Sequence, residues 1–212
     1  MRHFFIEPSA AASSLVTIQQ SEAHHIKNVL RLRPGDRIKL FDGTGFEYEA
    51  VIRKMSAAKV DVEILNKVRA TIRCGTQIMV AQAFLKEKKM DDLVRKLCEL
   101  GVARWIPFFS RRSIARPDPS RLAGRIRRWH RIAAEALKQC RRIDLPEIAN
   151  ALSFEEVLEF SKTCDLNIVF WENEPAPLPR SIELQEKHSA TKILLMLGPE
   201  GGFTQKEIEA AE

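Results

Sequence analysis

Lys192-Ile-Leu-Leu-Met-Leu-Gly-Pro-Glu-Gly-Gly-Phe-Thr-Gln-Lys-Glu207 is the stretch that decides how the second half of this chain folds. Its apolar run, Ile193 to Leu197, is typical of a strand that is buried on both faces of a sheet. The glycine loop, Gly198 to Gly202, follows this strand and lets backbone groups approach a ligand without β-carbons in the way. The sequence therefore predicts a ligand-binding loop at the carboxyl end of a strand, where open α/β sheets bind their ligands.

A helix is predicted to begin directly after the glycine loop. Thr204 is a favourable N-cap residue, and Glu207 stands three positions later, which is the spacing of a capping box. Phe203 and Ile208 occupy the positions of a hydrophobic staple. The loop matches neither G-x-x-x-x-G-K-[ST] nor G-x-G-x-x-G, so these two phosphate-binding patterns are excluded. On the pattern alone, a glycine-rich turn without a ligand is the alternative interpretation.

The string Leu197-Gly-Pro-Glu-Gly-Gly-Phe-Thr204, followed by Glu207, resembles the signature of the 16S rRNA uracil-N3 methyltransferases, a family of the SPOUT class. The resemblance implies that the glycine loop borders the S-adenosylmethionine pocket of a C-terminal trefoil knot. It also implies methyl transfer to N3 of one uracil in 16S rRNA, position 1498, on the assembled small ribosomal subunit. Members of the family are homodimers with the active site near the subunit interface.

Further segments are similar to the same family and extend the resemblance to nearly the whole chain. They are His24-His-Ile-Lys-Asn-Val-Leu-Arg-Leu-Arg-Pro-Gly-Asp36, Lys88-Lys-Met-Asp-Asp-Leu93, Glu99-Leu-Gly-Val102, Pro107, Ser110-Arg-Arg-Ser113, Arg128-Trp129, Glu135-Ala136, Gln139, Arg142 and Pro146. We therefore expect an α/β fold with two domains. Residues 1–74 are expected to form a small PUA-like β-barrel that binds RNA. Residues 75–212 are expected to form a SPOUT-type methyltransferase domain that is incomplete at its C-terminal trefoil knot.

Composition and charge agree with an RNA partner. The 212 residues include 34 Lys and Arg against 28 Asp and Glu, and the net charge of +6 favours an anionic partner. No apolar run is long enough to span a membrane and no signal peptide is recognised, so a cytoplasmic location is expected. Cys74, Cys98, Cys140 and Cys164 are far apart, which argues against a zinc site or a disulfide framework.

The first 74 residues have the pattern of a small β-barrel. Apolar and polar residues alternate from Phe46 to Ile52 and from Val60 to Ile64, which predicts two strands with one buried face. Asp42-Gly-Thr-Gly45 predicts a hairpin turn. Ser21 is placed to cap a helix that continues to Arg31. The adjacent pair His24-His25 does not share a helix face, which favours solvated or RNA-facing side chains over metal ligands.

Two helices carry the clearest patterns in the second domain. The first helix should end at Gly101. Its residues at core spacing are Met90, Leu93, Val94, Leu97 and Leu100. The second is expected from Leu122 to Arg142, with an apolar side that includes Trp129 and a strongly basic side opposite. Five cations against one anion, Glu135, favour nucleic-acid contact over an ordinary solvated face.

Basic side chains that could contact RNA phosphates occur in three places, and a solvated basic face is the alternative for each. The candidates are Lys27, Arg31 and Arg33 in the first domain, Arg111 and Arg112 after a predicted strand, and Arg127, Arg128, Arg131, Lys138 and Arg142 on the long helix.

The predicted cofactor-binding residues come from the glycine loop and from the end of an earlier strand, Leu166 to Trp171. They are Trp171, Glu172, Leu197, Gly198, Pro199, Glu200, Gly201 and Gly202. Gly198, Gly201 and Gly202 are expected to bring backbone N–H and C=O groups against the cofactor, where a β-carbon would either clash or forbid a positive φ.

Methylation of uracil N3 requires loss of the N3 proton, and an arginine could stabilise the resulting anion. Glu200 is a candidate for the base and Arg112 for the stabilising cation. For Glu200, a structural role as acceptor of loop N–H groups is the favoured alternative.

Two other functions stay open at this point. A ribose 2′-O methyltransferase of the same class would share the cofactor loop, but such enzymes usually carry Asn-x-Gly-x-x-x-Arg, and no Asn here is followed by x-Gly. A non-catalytic RNA-binding module would also explain the PUA-like domain and the basic helix. Family members continue past the position of Glu212 with segments that complete the cofactor pocket. We therefore expect residues 1–212 by themselves to bind S-adenosylmethionine poorly.

Overall fold

A computed structural model describes residues 3–56, 58–69, 75–86, 88–114, 116–140, 142–173 and 191–212. The chain divides into two compact units: residues 1–72 with 134–145, and residues 73–133 with 146–212. The expected domain boundary near residue 74 and Cys74 itself lie outside the described residues. The division at residue 74 therefore stays a prediction, and the first unit differs from it by including residues 134–145.

The first unit is built on a five-stranded sheet with the strand order β1-β3-β4-β5-β2. The strands are β1 (His3–Phe5), β2 (Leu15–Gln19), β3 (Arg37–Phe41), β4 (Phe46–Met55) and β5 (Lys59–Arg69). β1 pairs with β3 in parallel, and the other pairs are antiparallel. The predicted alternation holds, because Tyr48, Ala50, Ile52, Val60 and Val62 are all buried in one core.

The predicted hairpin turn, Asp42 to Gly45, joins β3 to β4. The Asp42 carboxylate accepts hydrogen bonds from Thr44 N at 2.9 Å and from the Tyr48 hydroxyl at 2.8 Å. Gly43 and Gly45 have φ values of +78° and +85°, which glycine adopts without the strain that a β-carbon would cause.

The helix predicted from Ser21 to Arg31 has a different form. Helix α1 spans Gln20–His24, so Ser21 lies inside it and not at its N-cap position. The chain continues as a π-helical segment, His25–Val29, whose wider turns break the spacing of an α-helix. Val29 is consequently 62% exposed, and the segment is followed by Arg31 with a φ of +52°.

The second unit contains a parallel sheet with the strand order β10-β11-β6-β7-β8, and β9 pairs with β7. Its strands are β6 (Gln77–Ala83), β7 (Arg104–Phe109), β8 (Glu147–Ile148), β9 (Leu152–Ser153), β10 (Leu166–Phe170) and β11 (Lys192–Leu197). Its helices are α2 (Lys89–Leu100), α3 (Pro119–Cys140), α4 (Phe154–Ser161) and α5 (Gln205–Ala211), where the end of α3 belongs to the first unit. These six strands pair in parallel, so the carboxyl ends of β6, β7, β10 and β11 lie at one edge.

β11 occupies an inner position between β10 and β6, as its apolar sequence predicts. Leu194 and Met196 are buried in a core that also contains Phe108 and Phe203. Ile193 and Leu195 on the opposite face are only partly buried, so the expectation of two fully buried faces is met on one side.

Candidate functional site

The glycine loop lies between β11 and α5, at the carboxyl edge of the parallel sheet. Gly202 N donates to Pro199 O at 2.9 Å, which closes a tight turn. The predicted capping box is present: the Thr204 side chain accepts from Glu207 N, and Glu207 Oε2 accepts from Thr204 N at 2.9 Å. Phe203 and Ile208, the predicted staple, belong to the same core cluster.

Three residues that the sequence analysis missed hold the glycine loop from the side of β6. The buried side chain of Gln82 donates from Nε2 to Gly198 O at 2.8 Å. Lys86 N and Lys89 Nζ donate to Glu200 Oε1 at 3.0 and 2.9 Å. A polar residue inside an apolar strand was a usable signal for Gln82. Lys86 and Lys89 gave no such signal in the sequence, because Glu200 is 114 and 111 residues away from them along the chain.

These contacts make Glu200 a structural anchor of the loop. Desolvation by itself would raise the pKa of Glu200, but the hydrogen bonds from Lys89 and Lys86 outweigh it and lower the pKa from 4.5 to about 2. A carboxylate with so low a pKa is a poor acceptor for the proton of uracil N3, since the best general bases have a pKa near the working pH. The geometry therefore favours the structural role over catalysis.

The turn after β7 holds the glycine loop from the other side. Arg112 Nη1 donates to Gly201 O at 2.7 Å and to Phe203 O at 3.2 Å. Arg111 N donates to Glu207 Oε1 at 2.9 Å, and Glu207 is only 3% exposed. Burial would raise the pKa of Glu207, but its hydrogen bonds from Arg111 and Thr204 lower it below its usual value. Glu207 thus links two loops in addition to capping a helix.

Trp171 and Glu172 follow β10. A β-carbon placed at Gly202 would overlap the Glu172 carboxylate, so this side chain lies directly against the glycine loop. Trp171 packs against the core cluster that contains Phe203. Its buried Nε1 atom has no hydrogen-bond partner among the residues that the structure describes. Buried N–H groups normally have a partner, so this unpaired donor is unusual.

The three loop glycines are not equally constrained by the protein around them. Only Gly202 has a positive φ, +66°. A β-carbon at Gly198 would lie 3.3 Å from Gly202 C and Phe203 N, which is tight. At Gly201 it would lie 3.6 Å from Cβ and Cδ of Arg112, an ordinary van der Waals distance. Among the described residues, Gly201 faces the aliphatic stem of Arg112 instead of a backbone, and the expected clash with the cofactor at this position stays a prediction.

In the second unit, the basic candidates divide into free and paired side chains. Arg111, Arg127 and Arg131 are exposed and form no ion pair within the described part of the chain. Arg128 Nη2 lies 2.7 Å from Asp91 Oδ2, and the other oxygen of Asp91 accepts from Trp129 Nε1 at 3.0 Å. Arg128 is thus less open to phosphate than its place on the basic side of α3 suggested.

In the first unit, Lys27, Arg31 and Arg33 are exposed on and just after the π-helical segment. Lys138 lies 3.2 Å from a carboxylate oxygen of Glu22 and 3.0 Å from one of Glu135. Arg142 is half-buried. Lys138 is therefore neutralised by two carboxylates in this structure, whereas the first three cations lie at the surface.

The described ranges contain no group of three or more His, Cys, Asp or Glu side chains that could hold a metal ion. None of their helices has both the length and the apolar character that a membrane span requires. Cys98, Cys140 and Cys164 form no disulfide with one another.

A glycine loop at the carboxyl edge of a parallel sheet, fixed by its neighbours and lying against a carboxylate, is the arrangement in which α/β proteins bind nucleotide-type ligands. Residues 73–212 match the family model of the RNA methyltransferase domain, and residues 18–65 match that of the RNA methyltransferase PUA domain. This chain belongs to the RNA methyltransferase domain family. The match confirms the predicted methyltransferase domain preceded by a PUA-like domain.

Individual relatives agree with this assignment. The chain is 28% identical to ribosomal RNA small subunit methyltransferase E of Bacillus subtilis, over 99% of this chain and 84% of that protein. The solved structure of ribosomal RNA small subunit methyltransferase E from Neisseria gonorrhoeae, bound to S-adenosyl methionine, is similar with a TM-score of 0.79. It is 28% identical, and the match covers 100% of this chain and 85% of that one. A probable rRNA methyltransferase from Porphyromonas gingivalis has the same TM-score at 25% identity, over 100% and 85% of the two chains.

Proposed function

We propose that the protein transfers a methyl group from S-adenosylmethionine to N3 of one uracil in 16S rRNA, position 1498, on the assembled small ribosomal subunit. The observation that carries this proposal is the glycine loop of a chain that belongs to an RNA methyltransferase family. The loop is held on one side by the Glu200–Lys89 contact and on the other by Arg112. The relative from Neisseria gonorrhoeae, whose structure contains S-adenosyl methionine, supports the choice of cofactor.

The residues around the loop fit this cofactor. Trp171, Glu172, Leu197, Gly198, Pro199, Glu200, Gly201 and Gly202 are proposed to line its site. The open Nε1–H of Trp171 is a donor for a polar group of the ligand, and the exposed carboxylate of Glu172 is an acceptor for ribose hydroxyls. When bound, the cofactor supplies an electrophilic methyl group on a sulfonium. The protein must therefore orient the loop, position the uracil and favour loss of its N3 proton.

Binding of the RNA is proposed to use the exposed cations of both units. They are Lys27, Arg31 and Arg33 in the first unit and Arg111, Arg127 and Arg131 in the second. Contacts from these groups to phosphate carry no sequence information, so these residues are proposed to orient the RNA and not to select the base. The target uracil must leave its stack to reach the methyl group.

Three further features of the proposal follow from the resemblance. The protein is proposed to act as a homodimer in the cytoplasm, and residues 1–74 and 75–212 are proposed to be separate domains. Light scattering on the purified full-length protein measures the mass of the particle and tests the dimer. Expression of residues 1–74 alone, followed by circular dichroism, tests whether the first domain folds independently.

The central proposal is tested with labelled S-adenosylmethionine and three RNA substrates. They are intact small subunits, deproteinised 16S rRNA and intact large subunits, all from cells that lack this modification. We expect the full-length protein to transfer label to 16S rRNA in small subunits, with less transfer to deproteinised 16S rRNA and none to large subunits. Binding of RNA without any transfer would contradict the proposal and support the non-catalytic module.

A further inference from the structure

The turn after β7 presents two adjacent arginines on an anchored backbone. Ser110 N donates to Ser113 Oγ at 3.1 Å, and Ser113 N donates to Ser110 O at 3.1 Å. Both serines are buried, with 1% and 5% of their surface exposed. Arg111 and Arg112 therefore extend from a fixed turn, and differences between them reflect the contacts of their side chains.

Only Arg112 uses its guanidinium to contact the glycine loop. Its Nη1 donates to Gly201 O and Phe203 O, while its aliphatic stem packs beside Gly201. The guanidinium is always charged in proteins, so both hydrogen bonds are charge-assisted and stronger than neutral ones. The Arg111 guanidinium makes no hydrogen bond or ion pair within the described ranges, although its backbone N–H binds Glu207.

The two bonds from Arg112 enclose the most constrained residue of the loop. Gly201 O and Phe203 O belong to the peptide groups before Gly202 and after Phe203. Between them lies Gly202, with its φ of +66°. A cation that holds both carbonyls fixes the orientation of the backbone around Gly202. Loss of that cation would free this part of the loop to adopt other conformations.

We propose that Arg112 is a positioning residue that holds the glycine loop in the conformation that binds S-adenosylmethionine. This inference rests on the proposed function, in which the loop forms one wall of the cofactor site. It assigns to Arg112 a role different from phosphate binding or stabilisation of a uracil anion. Arg111, which leaves the same turn with an unpaired guanidinium, is the member of the pair that faces RNA.

The test compares four variants of the full-length protein: Arg112→Ala, Arg112→Lys, Arg111→Ala and Lys206→Ala. Titration calorimetry with S-adenosylmethionine should show Kd raised about tenfold or more in Arg112→Ala, because two charge-assisted bonds are lost. Arg112→Lys should recover part of this loss, since its ammonium keeps the charge but lies one bond closer to the backbone than Nη1, the atom from which both hydrogen bonds come. Lys206→Ala removes an exposed cation three residues after Phe203 and should change Kd less than twofold.

Steady-state kinetics and RNA binding separate positioning from other roles. In Arg112→Ala, KM for S-adenosylmethionine should rise more than kcat falls, and the salt dependence of RNA binding should stay that of the wild type. In Arg111→Ala, the salt slope should fall by about 1, with the Kd for S-adenosylmethionine unchanged.

The inference is overturned if Arg112→Ala binds S-adenosylmethionine within twofold of wild type, or if its RNA salt slope falls as in Arg111→Ala. If Arg112→Ala does not fold, Arg112→Gln replaces it, and an unchanged Kd in that variant overturns the inference equally. A wild-type protein that binds no S-adenosylmethionine would instead contradict the proposed function, and the inference with it.

Discussion

The carboxylate of Glu172 occupies the space that a side chain at Gly202 would need. Gly202 also has a φ of +66°, in the region that L-residues rarely adopt. Position 202 is therefore closed to side chains both by its own backbone and by its neighbour. Gly201, one residue earlier, has neither restriction.

This contrast predicts different outcomes for two adjacent substitutions. Gly202→Ala should lower the free energy of unfolding by about 1–2 kcal/mol, the cost of a left-handed conformation for an L-residue. It should also raise the Kd for S-adenosylmethionine at least about tenfold, because the loop and Glu172 must shift. Gly201→Ala is the matched control for stability and should change the free energy of unfolding little. Calorimetry and urea unfolding measure the two effects, and equal losses of stability in both variants would show that the loop is not constrained at Gly202.

The basic side of α3 allows a similar comparison. Arg127 and Arg131 are exposed without an ion pair in the described residues, whereas Arg128 pairs with Asp91. Replacing Arg127 and Arg131 by alanine should reduce the slope of log K against log salt for rRNA binding by about 1.8, since each phosphate contact contributes about 0.9. Arg128→Ala should instead lower thermal stability and leave the slope almost unchanged. An unaltered salt slope in the variant that lacks both Arg127 and Arg131 would show that this side of α3 is solvated and does not bind RNA.

Arg31 offers a test in which stability and binding change in opposite directions. Its φ of +52° costs an L-residue about 1–2 kcal/mol, and glycine would avoid this at an entropic cost of about 0.5–1 kcal/mol. Arg31→Gly should therefore raise the free energy of unfolding by about 0.5–1 kcal/mol while weakening RNA binding. Arg33→Gly, at an exposed position nearby without positive φ, is the control and should not gain stability. If Arg31→Gly binds RNA as tightly as the wild type or more tightly, Arg31 does not contribute to RNA binding.

The low pKa of Glu200 predicts a defined pH dependence of stability. Its pKa in the folded protein is about 2, below the reference value of 4.5, so the ionised form stabilises the folded state. This stabilisation is complete above about pH 4.5 and is lost as the pH falls toward 2. The stability difference between wild type and Glu200→Gln should be constant from pH 8 to 5 and should shrink below pH 4.5. Glu209→Gln on α5 removes the same charge without a described partner and serves as the matched control.

Glu200→Gln also separates the two roles that were considered for this residue. A structural anchor should raise KM for S-adenosylmethionine and leave kcat within a few-fold of wild type. A general base should lose kcat by a factor of about 100 or more, with little change in KM. Measurement of kcat and KM over pH 6 to 9 decides between the two roles. A large loss confined to kcat would show that Glu200 acts as the general base.

Local rules explain what the sequence could predict in this protein. The capping box of Thr204 and Glu207 and the hairpin turn at Asp42–Gly45 each depend on residues within a few positions of one another. The inner position of β11 follows from its apolar run alone. Such features are encoded locally, so pattern and residue type were sufficient for them.

Contacts between distant segments explain most of what was missed. No spacing in the sequence indicates that Lys89 binds Glu200 or that Arg112 binds Gly201, since these pairs are 111 and 89 residues apart. Periodicity also predicts which face of a helix is apolar, but it does not show which residues of that face are covered by the rest of the protein. Leu100 has core spacing in α2 but is 77% exposed, whereas Cys98 is 1% exposed.

The identity of the methylated atom tests the account most directly. Small subunits from cells that lack this modification are incubated with the full-length protein and labelled S-adenosylmethionine, and the 16S rRNA is digested to nucleosides for mass spectrometry. We expect the label in 3-methyluridine, from the fragment that contains position 1498. A label in a 2′-O-methylated nucleoside, or no transferred label from a protein that binds both cofactor and subunit, would contradict the account.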